Sequence, residues 1–376
     1  MIINIDSLKE FKIGNLTVRL PIIQGGMGVG ISLSGLASAV ANEGGVGIIA
    51  TAGIGMLEPD FATNWVEANS RALKKEIRKA REATKGILGV NIMVALSNYA
   101  DLVKTAIEEE IDIIFSGAGL PLNLPQFLKG STKTKLGPIV SSGRAAGILS
   151  KKWSEKYNHP PDLIVVEGPR AGGHLGFKVE QINDPEYSLE KLIPEVIKAV
   201  AKFEERDKRA IPVIAAGGIY TGADIHKFLQ LGASGVQMAT RFVTTDECDA
   251  SIKFKQTYID SSKEDIVIIK SPVGMPGRAI RNKFIDDANG GEKKPFKCPY
   301  HCIITCDYQN SPYCIALALL NARKGNLEHG FAFAGENAYR AKGIISVKEL
   351  MSSLIEEYKQ VPKGFIDPEN HRIKKT

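Results

Sequence analysis

The feature that most constrains the fold of this chain is a series of short apolar runs separated by stretches with helical spacing. Eight runs occur before about residue 245, at 22–24, 46–50, 89–93, 112–116, 138–141, 163–166, 212–215 and 235–238. Continuous rather than alternating apolar runs are typical of parallel strands that are covered on both faces. Eight strand–helix units in series predict an α/β fold, the (β/α)8 TIM barrel, with a doubly wound open sheet as the alternative.

The spacing of apolar residues also predicts the helices and the domain boundaries. Between the strands, helices are expected at 32–42, 64–84, 98–109, 122–130, 144–157, 189–203 and 222–231. Residues 1–247 would form the barrel and 248–334 a smaller, mostly helical lid over its mouth. In that lid we expect a helix at 248–262, a strand at 266–269, a turn-rich link at 272–277 and a helix at 315–324. Residues 335–376 would supply a helix at 346–358 that returns to the barrel, followed by a polar tail.

Composition narrows the classes of function. Hydrophobic residues make up 44% and charged residues 24% of the 376 residues, with a formal net charge of +6. These values are typical of a soluble globular protein. No apolar run is long enough to span a membrane, and the first residues do not resemble a secretory signal, so we expect a cytoplasmic protein. No basic block with interleaved aromatic residues points to nucleic acid.

Glycine and small polar residues follow nearly every predicted strand. Examples are Gly25 to Gly28, Gly53, Asn91, Gly117 and Gly119, Ser142, Gly173, and Gly217 and Gly218. The carboxyl ends of the strands of a barrel all open onto one face. Glycine lets the backbone adopt positive φ angles and approach a ligand closely. The clustering therefore predicts a site for a large planar ligand that is held by backbone amides.

The sequence EGPRAGGHLG, residues 167–176, carries the candidate catalytic residue. It follows the sixth predicted strand and places His174 on a Gly-Gly hinge at the end where barrels hold their active sites. A tight turn with an incidental histidine is the alternative. The loops after the seventh and eighth strands favour a phosphate site that includes Gly218, Ala239 and Thr240. A sugar phosphate and a flavin mononucleotide both remain compatible with these loops.

The chain resembles the nitronate monooxygenase family, formerly called 2-nitropropane dioxygenases, which includes the flavin-type enoyl-acyl-carrier-protein reductases. The matching pieces are PIIQGGM (21–27), GVN (89–91), residues 167–176, AGGI (216–219) and QMATRF (237–242). The resemblance implies noncovalent FMN, with Gly26, Met27 and Asn91 beside the isoalloxazine and His174 as the active-site histidine. The full set of expected cofactor-binding residues is Gly25, Gly26, Met27, Asn91, Ser142, Glu167, Gly173, Gly217, Gly218, Gln237, Ala239 and Thr240. Ala239 replaces a usual glycine, and Pro169-Arg170 replaces a pair that is more often acidic or apolar.

The resemblance implies two reactions. The first is oxidation of an alkyl nitronate with O2 to a carbonyl compound and nitrite. The alternative is reduction of an enoyl thioester with NAD(P)H, and a barrel that binds a phosphate without redox chemistry is a third reading. A ferredoxin donor and a homodimer are also compatible with the sequence.

Four of the five cysteines lie close together, at Cys298, Cys302, Cys306 and Cys314. Steps of four would place the first three on one face of a helix. Close thiols in a cytosolic protein suggest an iron–sulfur cluster or zinc more than disulfides, although the spacing matches no common motif. Buried or redox-sensitive thiols are the alternative.

Overall fold

The computed structural model describes residues 8–292, 298 and 300–362. The described chain begins with an antiparallel hairpin of β1 (Phe11–Ile13) and β2 (Leu16–Val18). Ile13 and Val18 of this hairpin are fully buried and pack with apolar side chains of the strands that follow, among them Ile23 and Val165. The hairpin therefore covers part of the core that the next eight strands enclose.

Eight parallel strands form a closed barrel, which confirms the predicted fold. They are β3 (Ile22–Gln24), β4 (Val46–Ala50), β5 (Ile87–Met93), β6 (Ile113–Gly117), β7 (Lys135–Val140), β8 (Ile164–Glu167), β10 (Val213–Ala216) and β11 (Gly235–Met238). Strand β9 (Gly173–His174) lies outside the barrel. The first and last strands, β3 and β11, pair with each other, and β8 pairs with β10 to complete the ring. The open sheet is thereby excluded.

Side chains alternate between the inside and the outside of the barrel. Ile23, Ile48, Phe115, Val165 and Ile214 belong to the inner core cluster. Their neighbours along the strands belong to the larger cluster that the strands share with the surrounding helices. This double burial explains why the strands were recognisable as continuous apolar runs.

Helices follow most of the barrel strands, as expected. They are α1 (Ser34–Asn42), α2 (Trp65–Ala83), α3 (Tyr99–Glu108), α4 (Gly143–Tyr157), α5 (Leu189–Asp207), α6 (Gly222–Gln230) and the single turn α7 (Thr240–Val243). The helix predicted at 122–130 is wrong, since only a 3-10 turn, Leu124–Phe127, occurs there. Pro121 and Pro125 lack the N–H that a helix needs, and Lys129 and Gly130 both have positive φ.

The lid segment, residues 248–334, combines helices with a small sheet. Its helices are α8 (Ile252–Asp260), α9 (Lys283–Asn289) and α10 (Ile315–Arg323). Its strands β12 (Ile266–Lys270) and β13 (Pro276–Ile280) form an antiparallel hairpin, so β13 occupies part of the predicted turn-rich link. The helix expected at 248–262 is shorter than predicted. It begins after its N-cap Ser251, whose side chain accepts a hydrogen bond from the Phe254 N–H.

After the lid segment a further helix packs on the outside of the barrel. Helix α11 (Val347–Lys359) buries Leu350, Met351 and Leu354, and it packs against α6 and α1. The side chain of Glu357 accepts a hydrogen bond from the N–H of Gly222 at the start of α6. Among the described residues, no helix combines the length and the apolar character that crossing a membrane requires.

Candidate active site

A cavity of about 520 Å³ opens at the carboxyl ends of the barrel strands, beneath the lid segment. Its walls include the following predicted site residues: Gly25, Gly26, Met27, Asn91, Glu167, Gly173, His174, Gly217, Gly218, Gln237, Ala239 and Thr240. Ser142 is not among the lining residues. Its hydroxyl caps α4 by accepting a hydrogen bond from the Ala145 N–H, whereas its neighbour Ser141 lines the cavity. The structure thus brings together all but one of the residues predicted for cofactor binding or catalysis.

The loop after β3 is held in place from beneath. The buried amide of Gln24 accepts a hydrogen bond from the Ile48 N–H at 2.8 Å and donates one to the Gly25 carbonyl oxygen at 2.5 Å. Gly26 lies directly against Asn91, because a Cβ atom on Gly26 would come within 2.4 Å of the Asn91 Cβ. Only glycine fits at this position without displacing Asn91, so the loop packs closely against strand β5.

His174 lies on the short strand β9, which connects the barrel loop to the lid segment. It pairs antiparallel with Gly277 of β13, and the strand order of this sheet is β12-β13-β9. The imidazole Nε2 lies 2.7 Å from the hydroxyl oxygen of Ser271. The Phe333 ring packs edge-on against it, with 5.0 Å between ring centroids. Burial lowers the pKa of His174 to about 4, so the imidazole is neutral at physiological pH.

Glu167 ends strand β8 and contributes a carboxyl group to the same cavity. Burial raises its pKa to about 7, because the surroundings disfavour the charged form. The cavity therefore holds an imidazole that stays neutral and a carboxyl group that can gain or lose a proton near neutral pH. Perturbed groups of this kind are typical of functional sites.

The loops after β10 and β11 form one end of the cavity. Gly217 and Gly218 have φ angles of +93° and +86°, in the left-handed region that favours glycine. The Asn337 side chain donates a hydrogen bond to the Gly218 carbonyl oxygen at 2.8 Å. Thr240 begins the short turn α7 and lies close to Gly335. The nearby guanidinium of Arg241 forms an ion pair with Glu357 of α11, and this ion pair helps to hold α11 on the barrel.

Two other arginines lie near this end of the cavity. Arg170, which is 67% exposed, pairs with Glu336 at 3.2 Å. Arg340 stacks on the ring of Tyr220 with 4.6 Å between the guanidinium carbon and the ring centroid. Glu336 offsets much of the charge that Arg170 brings to the mouth of the cavity.

The opposite part of the cavity is apolar. Its lining side chains include Phe61, Trp65, Leu96, Leu317 and Leu319. Tyr300 closes over Phe61 with 4.9 Å between ring centroids. An apolar compartment of this kind can take an uncharged or hydrocarbon part of a ligand.

The described part of the cysteine segment before α10 is not helical, so the first three cysteines do not share the helix face that steps of four would give. The described residues around Cys302 form a single antiparallel bridge between Ile303 and Leu96. They dock on the loop after β5, where Ser97 N–H donates to the Cys302 carbonyl oxygen at 3.1 Å and Ile304 N–H to that of Ala95 at 2.9 Å. These contacts take up the backbone groups that a helix would use internally. Cys298, Cys302 and Cys314 line the cavity.

The four thiols are near enough to influence one another. Burial raises the pKa of Cys302 to about 12, and the charges of Cys314, Cys298 and Cys306 act in the same direction. Within the described ranges, however, no three His, Cys, Asp or Glu residues are arranged to hold a metal ion. The donor chemistry fits a soft metal, whereas the positions of the described side chains do not form a ligand set.

Several lining residues were not anticipated from the sequence. They include Phe333, Gly335, Glu336, Asn337 and Tyr300, which come from the lid segment or just after it. Ser271, which contacts His174, was missed as well. Gly335-Glu336-Asn337 carries the small and polar residues typical of the other loops and could have been noticed. Ser271 occurs in an ordinary Ser-Pro turn, and no sequence signal distinguishes it.

Comparison with known proteins agrees with this geometry. A probable nitronate monooxygenase of Staphylococcus aureus (strain Newman) is 29% identical over 308 residues, which cover 72% of this chain and 78% of the relative. The structure of FabK from Thermotoga maritima is 29% identical, with a TM-score of 0.71, and covers 92% of this chain and 94% of that one.

A nitroalkane oxidase from Streptomyces ansochromogenes shares the fold, with a TM-score of 0.70 at 22% identity over 92% of this chain and 98% of that one. The sequence model of the nitronate monooxygenases matches residues 9–357, nearly the whole chain. Because this match covers nearly the whole chain, the chain belongs to the nitronate monooxygenase family, a family of oxidoreductases.

Proposed function

We propose that this protein is an FMN-dependent oxidoreductase that oxidises alkyl nitronates with O2 to a carbonyl compound and nitrite. The observation that carries the proposal is the position of His174, which faces a cavity walled on other sides by the glycine loops of β3, β10 and β11. The family match supports an oxidoreductase, and the nitronate-named relative supports this substrate class.

The residues of the cavity fit a flavin mononucleotide. A planar ring must approach the wall closely, and the loop after β3 lines the cavity with Gly25, Gly26 and Gly28, which carry no side chains. A phosphate needs backbone donors, and the positive φ angles of Gly217 and Gly218 are typical of anion-binding loops. We propose that Gly26, Met27 and Asn91 hold the ring and that Gly218, Ala239 and Thr240 hold the phosphate.

FMN, when bound, supplies the electron transfer, and the protein supplies binding and proton handling. In this proposal the neutral His174 contacts the nitro group of the substrate. Glu167 is the second group that can exchange a proton near neutral pH, because burial raises its pKa to about 7. The lid segment covers both residues and excludes water from them.

A second candidate function is the reduction of an enoyl thioester with NAD(P)H. The apolar compartment with Phe61, Trp65 and Leu96 favours it, since a small nitronate leaves these side chains without a partner. The similarity to FabK gives further support to a reaction other than nitronate oxidation. Both candidates use the same cavity and the same histidine.

One experiment separates the two functions. The purified protein is mixed anaerobically with a nitronate, NADH or NADPH, and the flavin absorbance near 450 nm is followed. Bleaching by the nitronate alone supports the monooxygenase, and the product nitrite is then measured in air. Bleaching by NADH or NADPH, with reoxidation by crotonyl thioester, supports the reductase. His174→Ala should retain flavin and lose about 10²- to 10⁴-fold in turnover, and unchanged turnover would remove His174 from the mechanism.

We further propose that the cysteine cluster (Cys298, Cys302, Cys306 and Cys314) binds an iron–sulfur cluster or zinc. The closeness of the thiols supports this proposal, since Cys298, Cys306 and Cys314 all raise the pKa of Cys302. Binding would require the side chains to move from their described positions into a ligand set. No step of the reaction is assigned to such a group.

A further inference from the structure

We propose that Ser271 of the lid segment is a positioning residue that holds the neutral His174 imidazole with its proton on Nδ1. The role of His174 in catalysis rests on the proposed function, whereas the position of the proton on its imidazole ring does not.

The side chains of Ser271 and His174 are in direct contact. Ser271 follows β12 and is 2% exposed, and its hydroxyl oxygen lies 2.7 Å from His174 Nε2. The backbone on both sides is fixed. Ser271 N–H donates to the Met275 carbonyl oxygen, and the next strand, β13, pairs with β9 at Gly277 and His174. The two side chains are therefore held at hydrogen-bond distance by the sheet between them.

The surroundings of Ser271 indicate that its hydroxyl donates the hydrogen bond to His174. The Ser271 hydroxyl oxygen already accepts a long hydrogen bond, 3.4 Å, from the Val273 N–H. Its own proton needs an acceptor, because a buried hydroxyl without one is costly. His174 Nε2 is the acceptor at hydrogen-bond distance. A neutral imidazole that accepts at Nε2 carries its proton on Nδ1.

The lid segment also fixes the plane of the His174 ring. Phe333 packs edge-on against the imidazole at 5.0 Å between centroids. Phe333 is itself anchored, because the Tyr258 hydroxyl donates to its carbonyl oxygen. A hydrogen bond at one ring atom and an aromatic contact on the ring leave the imidazole little freedom to rotate.

With Nε2 occupied, Nδ1–H is the ring atom left for a ligand, and it donates a hydrogen bond. His174 would then bind an oxygen atom of the substrate, such as a nitronate oxygen or a thioester carbonyl, rather than remove a proton. The lowered pKa of His174 agrees with this role, because it keeps the ring neutral. A neutral ring with its proton on Nδ1 can donate that proton in a hydrogen bond.

The test is the ¹⁵N spectrum of protein labelled in histidine, recorded at pH 7 with FMN bound. The His174 signals are assigned by their loss in His174→Gln. We expect a protonated-type shift for Nδ1 and an unprotonated-type shift for Nε2. In Ser271→Ala the pattern should shift toward the Nε2–H form, and Ser271→Thr should restore it. Ser262→Ala, an exposed serine just before β12, is the matched control and should leave the pattern unchanged.

Turnover provides a second readout. Ser271→Ala should lower kcat by about 10- to 100-fold with little change in KM, as is typical when an orienting partner is lost. A wild-type spectrum with the proton on Nε2 would overturn the inference, even if Ser271→Ala fails to fold. The same spectrum in wild type and Ser271→Ala would also overturn it. If instead His174→Ala turns over normally, the proposed function fails while the spectrum still decides the role of Ser271.

Discussion

Arg278 lies opposite Gly173 in the sheet of the lid segment and reaches back to the loop that carries His174. Its Nη1 donates to the carbonyl oxygens of Pro169 and Ala171, at 2.8 and 2.5 Å. The side chain is 4% exposed, and burial lowers its pKa from the ordinary value. One buried cation from the lid segment therefore fixes the loop between β8 and β9.

Removing this cation should destabilise the loop. We expect Arg278→Met to lower the free energy of unfolding by about 2–4 kcal/mol, because two buried carbonyl groups lose their donor. Turnover should fall as His174 loses its fixed position. Urea unfolding measures the first effect. Arg281→Met is the control, since Arg281 is exposed and pairs with Asp286 at the surface, and it should cost less than about 0.5 kcal/mol.

The backbone of Gly218 is expected to determine flavin affinity. It has a φ of +86°, and a Cβ atom there would lie 2.8 Å from the Arg170 Cβ. Gly218→Ala should therefore weaken FMN binding by about tenfold or more, from a strain of about 1–3 kcal/mol. Quenching of flavin fluorescence measures the dissociation constant.

Gly147→Ala is the control for this substitution. Gly147 lies in helix α4, and its Cβ would meet nothing within 4 Å. Alanine there should leave FMN affinity unchanged and stabilise the helix by about 0.5–1 kcal/mol. Equal FMN affinity in the two variants would argue against a phosphate at Gly218.

Glu167 should make stability depend on pH. Its pKa is raised from 4.5 to about 7, so between these values the folded protein keeps a proton that the unfolded chain releases. The contribution of Glu167 to the free energy of unfolding therefore falls as pH rises through this window. Glu167→Gln removes this loss. Relative to wild type, the variant should gain about 1–3 kcal/mol between pH 5 and pH 8.

Urea unfolding at both pH values tests this expectation. His174 has the opposite sign, because its pKa is lowered from 6.5 to about 4 and stability rises with pH between those values. That contribution is present in both proteins and cancels in the comparison. A difference between variant and wild type that is the same at pH 5 and pH 8 would contradict the raised pKa of Glu167.

The proposed metal site at the cysteine cluster can be tested by metal content. Anaerobically purified protein should contain at least about one iron or zinc atom per chain, because four thiols in a short segment are typical of soft-metal ligands. Cys302→Ser should lower this content. Cys248→Ser is the control, since Cys248 is buried elsewhere and donates to the Ile31 carbonyl oxygen. Metal content well below one per chain in the wild type would leave the cysteines as ordinary thiols.

The barrel could be predicted because its strands are continuous apolar runs in the sequence. The predicted first and last residues of β3, β4 and β11 agree with those in the structure. The glycine loops could be predicted as well, because the glycines directly follow the strands in the sequence. Ser271 could not be predicted, because its contact with His174 spans 97 residues and depends on how the lid hairpin pairs with β9. The path of the cysteine segment could not be predicted, because its backbone bonds to the distant loop after β5.

The most direct test of this account is the absorbance spectrum of the purified protein, followed by identification of the released cofactor. The account predicts a yellow protein with a flavin spectrum, and release of about one FMN per chain on denaturation. A colourless protein that also fails to bind added FMN would contradict the account, and would favour a barrel that binds a phosphate without redox chemistry.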